Sequence, residues 1–143
     1  MQNNAILEVC AANIESARAA AQGSADRIEL CTRLDLDGLT PSAEEIREAR
    51  AIEGIRVNVL IRCKEGGFVY TEDDFALMQE QVALCKSLGV DGVVIGALTE
   101  EGDIDVAHCQ KLVQSAQGME ITFHRAFDVC RHPRQALEDI IAL

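Results

Sequence analysis

The stretch Thr122-Phe123-His124-Arg125-Ala126-Phe127-Asp128 places an imidazole, a guanidinium and a carboxylate side by side. The short run Met119-Glu120-Ile121 before it reads as a strand, and His132-Pro133 after it opens a helix. Loops that follow strands are where βα proteins place their chemistry. His124 would serve there as acid or base and Arg125 as an anion clamp, with Asp128 beside them. The plainer alternative is a solvated loop in which His124 and Arg125 tie to Asp128.

Five strand-then-helix units position this cluster. Strands are expected at about 5–10, 27–31, 56–62, 92–95 and 120–124. The first helix is expected from about Ile14 to Gln22, with Asn13 as its cap and Gly23 just past its end. The second runs to about Glu53, with Pro41 in its first turn and Ser42 and Glu45 as a capping box. The third, from about Glu72 to Leu88, starts at Thr71 with Asp74 and turns Phe75, Met78, Val82 and Cys85 to the sheet. The fourth, from about Asp105 to Ala116, turns Val106, Cys109, Leu112 and Val113 inward. No linker or repeat array divides the chain, so residues 1–143 are read as a single domain with a parallel sheet.

Side-chain parity separates two ways of arranging that sheet. A flavodoxin-like open sheet buries both faces of its central strands, which then read as continuous apolar runs. Here Leu7 and Val9 alternate with Glu8 and Cys10, and Ile28 and Leu30 with Glu29 and Cys31. Val57, Val59 and Ile61 alternate with Asn58, Leu60 and Arg62, and Ile121 and Phe123 with Thr122 and His124. One apolar face packs on helices; the other, if the sheet curls, is the interior of a TIM barrel. The favoured reading is an α/β TIM barrel, incomplete at about five of eight βα units; the open flavodoxin-like sheet is the alternative. Buried charges are costly unless paired, so Glu8, Glu29, Asn58, Arg62 and His124 are expected to form one interior network sharing a cavity. It would be either a substrate site or a structural set of ion pairs, Glu8 and Glu29 against Arg62 and Arg125.

Six cysteines are present, none in Cys-x-x-Cys spacing, which excludes a zinc ribbon or a thioredoxin-like motif. Cys85 and Cys109 fall on helix faces and read as core. Cys10 and Cys31 end neighbouring strands in matching registers, Leu-Glu-Val-Cys and Ile-Glu-Leu-Cys. Parallel strands lie about 4.8 Å apart, bringing two such sulfurs within reach of one soft ion.

Net charge of -11 argues against a nucleic-acid partner. No apolar run approaches the roughly 20 residues of a membrane span. Met1-Gln2-Asn3-Asn4 lacks the features of a signal peptide, so a cytoplasmic protein is expected.

Glu8-Val9-Cys10, Ala25-Asp26-Arg27-Ile28-Glu29-Leu30-Cys31, Gly38-Leu39-Thr40-Pro41-Ser42, Gly96-Ala97-Leu98-Thr99-Glu100-Glu101-Gly102 and the Thr122–Asp128 stretch resemble the CutC family. The resemblance implies a cytoplasmic TIM barrel associated with copper homeostasis, with Cys10 and Cys31 as Cu(I) ligands. Two departures stand out. After Arg62 the chain reads Cys63-Lys64-Glu65-Gly66-Gly67-Phe68 where the family usually has Pro-Arg-Gly-Gly-Asp-Phe, which adds a cysteine near the proposed site. Family members also carry about eight βα units, as a barrel of typically about 250 residues requires.

Two functions follow, a Cu(I)-binding protein or an enzyme acting on a small anionic molecule. In the second, Glu8 or Glu29 is the base, His124 the acid or base, and Arg62 with Arg125 the clamp. An oligomeric scaffold without activity is a third. Five strands leave two edges and an open interior face, exposing Leu60 and Val93 to Ile95, so a homo-oligomer is expected.

Overall fold

The structure is a computed structural model describing residues 5–143. Met1-Gln2-Asn3-Asn4, read above for a leader, lie outside the described residues. Strands and helices alternate as β1 (Glu8–Ala11), α1 (Ile14–Gln22), β2 (Arg27–Leu30), α2 (Ala43–Arg50), β3 (Arg56–Leu60), α3 (Glu72–Ser87), β4 (Gly92–Ile95), α4 (Val106–Ser115), β5 (Glu120–Phe123) and α5 (Pro133–Ile141). Single tight helical turns also occur at Leu34–Leu36 and Arg125–Val129.

The strands lie in the order β1-β2-β3-β4-β5, each parallel to the next. Sequential order with right-handed crossovers sends every helix to the same face, whereas a doubly wound sheet reverses direction at a switch point. The fold is therefore a TIM-barrel-like α/β sheet that is not closed, and the flavodoxin-like alternative is set aside. Ala17, Ile46, Phe75, Met78, Val82, Cys85, Cys109 and Leu112 come from α1 to α4. They pack with Ile28, Leu30, Val57, Val59, Val93 and Ile95 in one core on the helical face.

Local chemistry starts the helices where the sequence says. Asn13 Oδ1 accepts from the Ser16 amide at 2.8 Å. Ser42 with Glu45 and Thr71 with Asp74 each form a capping box, satisfying amides the helix leaves unpaired. Two details differ. Pro41 lies one residue ahead of the cap instead of inside the first turn. Val106 faces outward, because α4 points Cys109 and Leu112 at the sheet and Val106 falls off that stripe.

The inner face is curled, and an ion network at the N-terminal ends of the strands records it. Glu8 of β1 pairs with Arg27 of β2; Glu120 of β5 pairs with Arg27 at 3.2 Å and with Arg56 of β3 at 2.7 Å. In a flat sheet β2 and β5 would stand roughly 14 Å apart, three strand spacings. Curling brings the two side chains together across the concave side. It also explains a reversed expectation: Leu60 and Val93 to Ile95 are buried, since Leu60 and Val94 pack with Cys31 and Ala12 inside the curve, while Val93 and Ile95 face the helices.

Gly92 is required by this curvature. A Cβ there would lie 2.6 Å from Asn58 Oδ1 and 2.7 Å from the Glu120 carbonyl oxygen, the second of which is backbone and cannot swing away. Gly92→Ala is expected to destabilise the fold by about 1–3 kcal/mol, the usual scale of overpacking. Urea unfolding measures it, and an unchanged midpoint would show that the sheet relaxes freely at β4.

Candidate functional site

The concave face ends in two adjoining cavities at the C-terminal side of the strands, of about 570 and about 190 Å³. Glu29, His124 and Arg125 border both; Arg62 borders the smaller and Asp128 the larger. Apolar walls come from Leu60 and Phe68 on one side and Leu137 and Ile140 of α5 on the other.

His124 stands just past β5. Its Nδ1 accepts from the Ala126 amide at 3.1 Å, capping the tight turn that follows. A nitrogen that accepts carries no proton, so in the neutral ring the proton sits on Nε2. That Nε2 is buried and has no partner among the described residues. The ring lies against Gly96, just past the end of β4, where a Cβ would come 2.7 Å from Nδ1. Burial first, then the charges of Arg62 and Arg125, pull the His124 pKa from 6.5 down to about 4. At neutral pH His124 is thus a fixed hydrogen-bond donor with its other nitrogen already committed.

Arg62 is 3% exposed. Its Nη1 donates to the carbonyls of Leu36 at 2.8 Å and Gly38 at 2.7 Å, and its Nη2 to Gly66 at 2.7 Å. Phe68 covers its guanidinium at 5.6 Å. Most of the fork expected to clamp an anion is therefore spent on two loops, leaving one Nη2 N–H and the buried, unpartnered Nε. Neither Arg62 nor Arg125 has an ion-pair partner among the described residues. Arg125 is not tied to Asp128, so the solvated loop pair is not what forms.

Glu29 is the one interior carboxylate in both cavities. Burial, then the nearby Glu8, raises its pKa above the usual carboxylate value. The expected single network divides in two: Glu29, Arg62 and His124 meet at the mouth, whereas Glu8 borders neither cavity and is neutralised by Arg27 below. The ion pairs imagined between Glu8 or Glu29 and Arg62 or Arg125 do not form. Asn58 lies between the tiers, fully buried, with both amide atoms unpartnered among the described residues.

Cys10 and Cys31 border neither cavity. Cys10 is level with Glu29, so the registers are offset by two residues instead of matching. The two thiols still neighbour one another on the concave face, and burial, then Cys10, raises the Cys31 pKa from 9.0 to about 12. Among the described residues no group of three or more His, Cys, Asp or Glu is placed to hold a metal ion. The additional Cys63 lies on the helical side, 3.8 Å from the Asp74 carbonyl of α3. Gly96 and Phe68 entered the sequence reading only within longer motifs, and neither they nor Asp37 were expected at the site; Gly67-Phe68, a glycine beside an aromatic in a loop after β3, was the available signal.

Comparison with known proteins gives a matching family model, the CutC family, over residues 5–143. The chain belongs to the CutC family. It is 47% identical over 137 residues to the CutC family protein of Chromobacterium violaceum and equally so to that of Glaesserella parasuis, covering 96% of this chain and 56% of each relative. The chain thus spans about half the length of the curated relatives it matches. The crystal structure of CutC from Streptococcus agalactiae, a protein named for copper homeostasis, superposes with a TM-score of 0.90 at 32% identity, covering 96% of this chain and 68% of that one. Among the described residues, no helix of this CutC-family chain is long and apolar enough to cross a membrane.

The low His124 pKa has a consequence for stability. Unfolded histidine binds a proton near pH 6.5 and folded His124 only near 4, so the unfolded chain holds more protons between them. The stabilisation is complete above pH 6.5 and is lost as pH falls toward 4, by about 3 kcal/mol at about 1.4 per pH unit. Urea unfolding at pH 7 and 4.5 measures this, with His124→Gln expected to flatten the slope. An equal slope in the variant would contradict the assignment.

Proposed function

We propose that the paired cavities of this CutC-family chain bind a small anionic molecule. One observation carries the reading: Arg62 is buried at 3% exposure with no carboxylate partner among the described residues. Three backbone carbonyls hold that guanidinium but carry no full charge, so a bound anion would supply the counterion it lacks. Arg125 adds a second unpaired cation and His124 a neutral donor on the same wall. All this sits in a chain of net charge -11, so the local positive field is not a property of the whole surface.

Calorimetric titration with pyruvate and with acetate checks this reading. Binding should weaken about tenfold or more in Arg125→Gln, as expected when a charged hydrogen bond of about 1.5–3 kcal/mol is lost, and should weaken with added salt. Absence of binding to any small carboxylate, or identical affinity in Arg125→Gln, would overturn it.

A second reading is favoured by the neighbouring Cys10 and Cys31 thiols. Two sulfurs suit a soft monovalent ion such as Cu(I), carried as cargo, and the Streptococcus agalactiae relative is named for copper homeostasis. Cys31 would have to release a proton that burial strongly retains, so binding should strengthen with rising pH. Cu(I) titration of Cys10→Ser and Cys31→Ser is expected to show most affinity lost in either variant. Unchanged affinity in both would remove this reading.

A further inference from the structure

The anion-binding reading of the cavities is the basis of this step. We propose that the site catalyses enolisation of a small 2-oxo carboxylate, with Glu29 as the base and His124 as the donor to the developing enolate oxygen. Three kinds of group border the same space, and each matches one part of such a molecule. The unpaired guanidinium of Arg125 matches the carboxylate. The Nε2–H of His124, buried and without a partner among the described residues, matches the ketone oxygen. Glu29, from β2 on the other side of the open sheet, has no hydrogen-bond or ion-pair partner among the described residues and is free to reach the carbon-bound proton.

The tautomer makes the assignment specific. Because Nδ1 is held by the Ala126 amide and the ring is backed by Gly96, Nε2–H is the one uncommitted donor of a ring that borders both cavities. A neutral imidazole in that state can polarise a carbonyl without itself taking up the proton that the carboxylate removes. Among the described residues no cysteine, serine or lysine borders either cavity. The step balances internally. A Glu29 oxygen bonds the proton as the C–H bond breaks, the C–H electron pair becomes the new C=C bond, and the carbonyl π pair moves onto oxygen. That oxyanion accepts the His124 hydrogen bond. Return of a proton from Glu29 to carbon regenerates the ketone, and no oxidant, reductant or second substrate takes part.

The test is solvent exchange. The 143-residue chain is incubated with pyruvate or 2-oxobutyrate in D2O, and proton NMR follows loss of the signal next to the ketone. Exchange is expected well above the buffer rate. Glu29→Gln should lower it by about 10²–10⁴-fold, the scale of general-base catalysis, while calorimetry shows binding as tight or tighter. Glu29→Asp should keep part of the exchange, and circular dichroism confirms that both variants fold. Binding without exchange, or exchange unaffected in Glu29→Gln, overturns the enolisation proposal and leaves the anion reading standing. No binding overturns the anion reading and this proposal with it.

Discussion

Glu120 holds Arg27 and Arg56 across the concave side of the sheet, and the site depends on that bridge. A parallel sheet with helices on one face has to enclose its other face or leave it wet. The bridge spans from β5 back to β2 across the curl that encloses it. Glu8 joins from β1, so four of the five strands contribute a charge to this floor. With opposite charges paired at the rim of the strands, the interior above can be drier than its polar residues suggest.

Above the floor the concave face changes character in steps. Asn58 and Gly92 share one level, with the amide filling the space a side chain on β4 would need. Cys31, Leu60 and Val94 form an apolar layer next. Arg62, Gly96 and His124 make the mouth. This order explains the His124 pKa: the ring is backed by packed apolar residues below, flanked by two cations, and given no carboxylate partner. Gly96 lets the ring lie against the chain just past the end of β4, and the turn after β5 commits its Nδ1. Curvature, glycine placement and a short turn together set the chemistry of one imidazole.

Much of this was legible in the sequence, because parity along a strand is local. Val57, Val59 and Ile61 alternating with Asn58, Leu60 and Arg62 gave the two faces directly, and the helix caps followed from Asn13, Ser42 and Thr71. What failed was everything that depends on how strands slide past each other. Glu8 falls level with Arg27 and Cys10 with Glu29, a two-residue stagger that barrel tilt imposes and no single strand reveals. That stagger moved Glu8 out of the site and into the floor. The hold on Arg62 was equally hidden, since its partners are backbone carbonyls of Leu36, Gly38 and Gly66, which every residue type carries. Within the Thr122–Asp128 stretch, the burial that lowers the His124 pKa was hidden too, because it comes from other strands.

The chemistry of the site turns on the state of one ring. Nitrogen-15 NMR of His124 at pH 7, with and without pyruvate, reads it directly. The account predicts a neutral imidazole carrying its proton on Nε2, with that proton moving downfield as the anion is added. A doubly protonated ring, a proton on Nδ1, or an Nε2–H signal indifferent to saturating anion would contradict it.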